Sequence, residues 1–400
     1  MTDEDRFTAQ QAEWRDPACV VAQWAEAGAV DPALLETQIT GPWWEILAAA
    51  GVTLLVSREY EHLLLGLGIV AGEPCVSLLR LPHPSGIAYD PARAEVHVAS
   101  TRNPNAIYTL RPAAGLQDRG DLEDADASGR PLMPVSARFL PGSNYLHDLA
   151  MVDGQLHGTA VGSNSVVEFP RDVEPRPVWW PASIDGPSGP AFGLNHLQLN
   201  GIAAGPTLAA SRFTASTETI GLHRPGQPDF PVDGRGVVFD GESREPLLRG
   251  LTRPHSPRFI GGRLWVNNSG YGTLVQAEAN RFEVVARLPG WTRGLCDIGS
   301  HVIVGTSRII PRFSHYAPGL DPAHCVCALH AVETATGRIA ASLHWPAGNQ
   351  IFSVEAVPAA LADGLPFRTP RAPRHSAAER TLFYAWRPAP AAAHPTENDQ

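Results

Sequence analysis

From residue 52 onward the apolar positions fall in short alternating runs separated by glycine, proline, asparagine and aspartate, the pattern of turn-bounded β-strands rather than helices. Residues 254–272 (PHSPRFIGGRLWVNNSGYG) show it most plainly. A polar lead-in with His255, Ser256 and Arg258 meets a Gly261-Gly262 turn, an alternating strand through Leu264, Trp265 and Val266, and a polar run, Asn267-Asn268-Ser269. Other segments repeat this arrangement. Residues 84–110 turn at Asp90-Pro91, residues 145–169 turn at Asp153-Gly154, and residues 198–213 turn at Gly205-Pro206, with a second strand ending at Ser211-Arg212. Residues 292–308 form a further copy.

In register, these copies place Ser85, His147, Asn200, His255 and Arg293 immediately before successive first strands, at spacings of 62, 53, 55 and 38 residues. Such spacings fit four-stranded propeller blades of roughly 40–50 residues with loop insertions. Residues 351–357 (IFSVEAV), preceded by Gln350, read as one more first strand without its hairpin. Three runs near the start, residues 53–57, 62–67 and 76–81, read as strands that lack a first strand. Joining the two sets yields one blade closed by both ends of the chain, which removes two unpaired sheet edges. The fold class predicted is therefore all-β, a six-bladed β-propeller, with seven blades as the alternative.

Residues 1–50 differ, with Asp16-Pro17 and Asp31-Pro32 as helix starts, Gly28 as a stop and residues 43–50 as a short helix. The expected organisation is a helical lead-in over 1–50, a propeller over 51–387 that takes an outer strand from residues 381–386, and a disordered Pro/Ala-rich tail over 388–400. All 31 basic residues are arginine. Schiff-base lysine chemistry and the phosphate-loop lysine are thereby excluded. A net charge of −10 argues against nucleic acid as a partner. The polar N-terminus and the short apolar runs predict no secretory leader and no membrane span, and five scattered cysteines fit free thiols, so the expected location is cytoplasmic.

First strands line a propeller's central channel, so Ser85, His147, Asn200, His255, Arg293 and Gln350 are predicted to form a ring at one mouth, with Asp148, Ser256 and Glu355 nearby. Neutral imidazoles beside carboxylate or amide oxygens perform acid-base chemistry near pH 7 or hold a divalent metal. The catalytic candidates are His147, Asp148, His255 and Arg293; the substrate-binding candidates are Ser85, Asn200, Ser256 and Gln350; a metal would take His147, His255 and Asn200. Arg293 suits an anionic substrate or a developing negative charge. Structural readings stand beside these: His147 with Asp148 as a hydrogen-bonded pair, and Arg258 or Arg293 as inter-blade ion-pair partners. Strand alternation separates Cys325 and Cys327 from His330, which disfavours a zinc cluster with His315 and His324. Gly66-Leu67-Gly68 reads as strand rather than a dinucleotide fingerprint, and Trp179, Trp180, Trp265 and Trp291 read as blade packing.

The blocks LHDLA (146–150), LNGIA (199–203), PHSPR (254–258), RLWVNNSGYG (263–272) and LPGWTRGL (288–295), in that order, resemble an uncharacterised bacterial propeller family, domain of unknown function 4915. The resemblance spans nearly all of the chain after the lead-in and implies the fold without an activity. The chain departs from the family pattern at Gln198, where histidine is usual, and carries His196 two residues earlier. The functional expectation is a small-molecule site at the channel mouth, as in a metal-assisted hydrolase or isomerase of the lactonase-like propeller kind. The alternative is a non-catalytic scaffold that binds a protein partner.

Overall fold

The structure, a computed structural model, describes residues 2–15, 29–102, 104–112, 116–118, 131–193, 195–218, 230, 232–368 and 386–388. Six antiparallel sheets surround one axis, and each first strand contacts the next until the last meets the first. Blade 1 is Pro84–Asp90, Glu95–Ser100, Asn105–Pro112 and Leu132–Leu140; blade 2 is Leu146–Val152, Gln155–Ala160, Ser165–Glu168 and Arg176–Trp179. Blade 3 is Leu199–Ala203, Arg212–Ala215, Gly236–Asp240 and Pro246–Leu251; blade 4 is Pro254–Ile260, Arg263–Asn268, Thr273–Glu278 and Arg281–Arg287. Blade 5 is Trp291–Asp297, His301–Ser307, Ala328–Glu333 and Ile339–His344.

Blade 6 joins the two ends of the chain, as the sequence predicts. Ser353–Pro358 is its first strand and Val52–Arg58, Leu63–Val70 and Glu73–Arg80 follow, with Phe367–Arg368 on the outer edge. The register runs without a break from Val52 opposite Pro358 to Ser57 opposite Ser353. Gly66 and Gly68 lie within the strand Leu63–Val70.

The apolar alternation of each strand is buried between blades rather than in one central core. Ile107, Leu146, Leu149 and Phe169 bridge blades 1 and 2, while Val238, Leu248, Leu264 and Val266 bridge blades 3 and 4. Trp179 stacks on Phe213 of the next blade with ring centroids 3.9 Å apart, the packing role expected for it. The helix Trp43–Ala50 buries Trp43 and Leu47 against the closing blade, and Gln38–Thr40 extends the outer edge of blade 5.

Several local expectations differ from the structure. The ring residues lie inside their first strands, not ahead of them, except Gln350. In blade 3 the second strand begins at Arg212; Ser211 instead closes the preceding loop, its hydroxyl accepting from Gly205 N and donating to Thr207 O. The segment Asp3–Arg15 is a helix without apolar periodicity, and Asp31 caps only the 3-10 turn Pro32–Leu34. The strand containing His330 starts at Ala328, beyond both cysteines. Asp16-Pro17, Gly28 and residues 381–385 lie outside the described residues; Trp386–Pro388 pairs with Leu116–Asp118. Cys296, Cys325 and Cys327 are free thiols, and no described helix is long and apolar enough to cross a membrane.

Candidate functional site

Five of the six first strands shift register against their hairpin partners at the ring position or just after it: between Pro84 and Ile87, Leu146 and Leu149, Leu199 and Gly201, His255 and Arg258, and Thr292 and Leu295. A bulge bends a strand and re-aims the side chains at it, here at the ring positions. Close approach around the axis constrains the next residue. A Cβ on Gly86 would lie 2.5 Å from Leu149 N and 2.6 Å from Asp148 Cα, and one on Gly201 would collide with the Pro257 ring. Glycine at these two positions therefore lets neighbouring backbones meet.

Three predicted site residues are engaged in holding blades together. Ser85 donates to Leu146 O at 2.8 Å, and its own carbonyl accepts from Ser57 Oγ at 2.6 Å. Ser256 Oγ accepts from Gly294 N at 2.9 Å. Asp148, 4% exposed, takes both ends of the Arg258 guanidinium at 3.0 and 3.3 Å and also accepts from Ile202 N. Arg258 is thus an inter-blade ion-pair partner, the reading given to it from the sequence. Beside this pair burial raises the Glu355 carboxyl to about 7, with Arg258 opposing and Asp148 adding to the rise.

The other five, His147, Asn200, His255, Arg293 and Gln350, are brought together by direct contacts. The imidazoles of His147 and His255 lie 6.4 Å apart, centroid to centroid, with planes 25° from parallel. Arg293 Nη2 approaches His147 Nδ1 at 3.4 Å, while its guanidinium lies over the Phe352 ring. With its amide turned to satisfy both neighbours, Gln350 accepts from Arg293 Nη1 and donates to Glu59, each at 3.2 Å. Asn200 Nδ2 donates to Ser216 Oγ and Pro254 O, which leaves Oδ1 as the atom available to His147.

These contacts set the tautomers. Ser269 Oγ gives its proton to Thr292 O at 2.6 Å, so His255 Nδ1–H donates to Arg253 O at 2.8 Å with Ser269 Oγ beside it. His255 Nε2 therefore carries a lone pair, and it is buried without a hydrogen-bond partner among the described residues. His147 accepts from Arg293 at Nδ1, which puts its proton on Nε2. Burial first, then the Arg293 and Arg253 charges, hold both imidazoles well below their usual value, so both are neutral at pH 7.

Sequence reasoning missed Arg253, Glu59 and Tyr316, and singled out Gln198 only as a departure from the family pattern. Arg253 is 3% exposed, lies 4.1 Å from the Tyr316 ring centroid and 6.0 Å from that of Trp291, and donates to Gln198 Oε1. Trp291, expected as packing, also turns its edge to His255 at 6.0 Å. A signal existed. Two residues before the ring position, His83, Tyr145, Gln198 and Arg253 all have positive φ, from 45° to 54°, so a second ring follows the first through blades 1 to 4. Non-glycine residues held there carry strain, which concentrates at functional sites.

The family described as Domain of unknown function (DUF4915) matches residues 41–363. The chain belongs to the DUF4915 family. No curated protein matches this DUF4915 chain. Among solved structures, it is similar to a chain of a nidogen/laminin complex, at 11% identity and a TM-score of 0.50 over 76% of this chain and 98% of that one. It also matches a gluconolactonase from Xanthomonas campestris, at 14% identity and a TM-score of 0.44 over 78% and 85% of the two chains. A PQQ-bound aldose sugar dehydrogenase from Streptomyces coelicolor matches at 16% identity and 0.39 over 80% and 99%. At such identities the likeness is one of fold.

Elsewhere in this DUF4915 protein, Asp90, Glu95 and His97 bring ligand atoms within 4.8 Å of one another beside a cavity of about 900 Å³ between blades 1 and 2. Their carboxylates are already taken by arginine, Asp90 by Arg93 and Glu95 by Arg111 and Arg171.

Proposed function

We propose that the channel mouth is the active site of an enzyme that moves protons on a small molecule, as a hydrolase or an isomerase does. His255 Nε2 is the base and His147 Nε2–H the acid, with Arg293 orienting His147 through Nδ1. The observation that carries the reading is the buried, unpartnered lone pair of His255, because an acceptor left without a donor in a core costs free energy unless a ligand uses it. Two neutral imidazoles in opposite tautomers, 6.4 Å apart, are within reach of one small substrate. Convergence of His147, Asn200, His255 and Arg293 also favours this reading over a protein-binding scaffold.

A divalent ion on His147, His255 and Asn200 fits the site poorly. That donor set holds no carboxylate, and the guanidiniums of Arg293 and Arg253 both act electrostatically on both imidazoles. No step is assigned to a metal. The test is a panel of lactones, esters and hydroxy acids, followed in D₂O by NMR for ring opening or for exchange of the proton next to the carbonyl. His255→Gln is expected to lower the rate on an active substrate by about 10²–10⁴ while the fold persists. Equal rates in wild type and variant, or stoichiometric metal that disappears with His147→Ala and His255→Ala, would overturn the reading.

A further inference from the structure

The geometry points to a substrate that carries an oxyanion, a carboxylate or a phosphate, held by Arg253 and Arg293 beside His255. This inference rests on the mouth being a small-molecule site and names the class of molecule it takes. Arg253 and Arg293 are 3% and 6% exposed, and neither forms an ion pair among the described residues. Arg253 donates to the neutral Gln198 amide, is flanked by the Tyr316 and Trp291 rings, and leaves its buried Nε without a partner. Arg293 is held by Gln350, His147 and the Phe352 ring, all uncharged.

Glu59 does act on Arg293, yet its carboxylate is already shared. It accepts from Thr101 Oγ1 at 2.6 Å, faces Arg102 Nε at 3.3 Å and receives the Gln350 amide. Asp148 also acts on Arg293 and is bound on both oxygens by Arg258. The mouth therefore holds more positive than negative charge in a setting that water does not screen. Burial lowers both guanidiniums to about 10, with the Arg293 charge adding at Arg253 and the Arg102 charge at Arg293, and they remain charged at pH 7.

A buried cation normally comes with an anion in its own chain, since desolvation of an unpaired charge is costly. Here the anion is left to the ligand. Arginine is the residue suited to this task, because its planar fork matches a carboxylate or a phosphate and because it stacks on aromatic faces, as both arginines do. Binding the oxyanion there leaves the His255 lone pair uncharged and facing the bound molecule, so recognition and proton transfer use separate groups.

The experiment is titration calorimetry and thermal unfolding of the full chain with three probes: lactate and glycerol, which match in size, and glycerol 3-phosphate, which adds a phosphate to glycerol. At least one anion is expected to bind about 100-fold more tightly than glycerol and to weaken with added salt. The stronger anion tells carboxylate from phosphate, and either result supports the inference. Arg253→Gln and Arg293→Gln are expected to weaken it at least about 10-fold, Arg253→Lys less, and His255→Gln by no more than about threefold. Arg253→Met is expected to raise the unfolding midpoint of the ligand-free protein, since it removes an unpaired buried charge; a lowered midpoint would assign Arg253 to structure and sink the inference. Glycerol binding as well as the anions, no binding of any probe, or anion binding unchanged in both arginine variants would equally overturn it. If a neutral substrate is turned over in a His255-dependent manner, the oxyanion class fails while the enzyme reading stands.

Discussion

The substitution Asp148→Asn tests what the residue beside His147 is for. In the protein its carboxylate lies between blades 2 and 4, bound to Arg258 at 3.0 and 3.3 Å and to Ile202 N at 3.1 Å, with side-chain exposures of 6% for Asp148 and 17% for Arg258. Asparagine keeps the shape, removes the charge and turns an N–H₂ toward donors. Removing one partner of a buried pair typically costs about 3–5 kcal/mol, since the other charge is stranded. Two features place the loss at the low end. Arg258 retains some solvent, and Glu355, which interacts with both members, ionises more readily once the Asp148 charge is gone and so offsets part of the stranded charge. The expected loss is about 3 kcal/mol by urea unfolding at pH 7. The double variant Asp148→Asn/Arg258→Gln should recover at least about 1 kcal/mol of the summed single losses. Turnover per folded molecule should be unchanged, because Asp148 positions blades and is not part of the proposed proton transfer. A loss below about 1 kcal/mol, simple additivity, or a specific collapse of turnover in stable protein would refute the reasoning.

Three further outcomes follow from the same geometry. Glu355 has a folded value of about 7 against 4.5 in the open chain, so its protonation contributes stability that is complete below about pH 4.5 and lost as pH rises through 7; Glu355→Gln should flatten the unfolding midpoint across that window and stabilise at pH 8. Arg293→Gln removes a cation that lowers both histidines, so the acidic limb of kcat/KM should move up toward pH 6.5, and a limb that stays in place would exclude His147 and His255 as the titrating pair. Gly86→Ala puts a methyl into the Asp148–Leu149 backbone and should cost about 3 kcal/mol or more in urea unfolding, whereas a neutral result would show that the inner strands separate easily.

The blade architecture was legible because each blade repeats one local pattern. The turn at Asp153-Gly154 has φ of 50° and 68°, and the turn at Gly261-Gly262 has 56° and 76°, the two-residue geometry that such sequences favour. Closure by both ends was legible for the same reason: an orphan first strand and an incomplete blade could be satisfied only by each other, and Ser57 indeed pairs with Ser353. The site was legible in part. Repeat alignment brought together His147, Asn200, His255, Arg293 and Gln350, because equivalent positions in a propeller converge at the axis.

Neither the direction of a side chain at a bulge nor its partners follow from period-two alternation. Adjacent residues of one bulge, His147 and Asp148, part company, one to Arg293 and the other to an ion pair across the blades. Arg253, two residues upstream of His255, joins the site through a left-handed backbone that sequence pattern alone does not reveal. The sequence by itself determined the repeating blade, the way the circle closes and the axial positions at which chemistry can gather, because these depend on local periodicity and turn residues; the count of six over seven came from the sheets themselves. Only the tertiary structure decided which of those residues are consumed in stitching blades together and which keep an unused lone pair or charge, because that depends on contacts between residues distant in the chain.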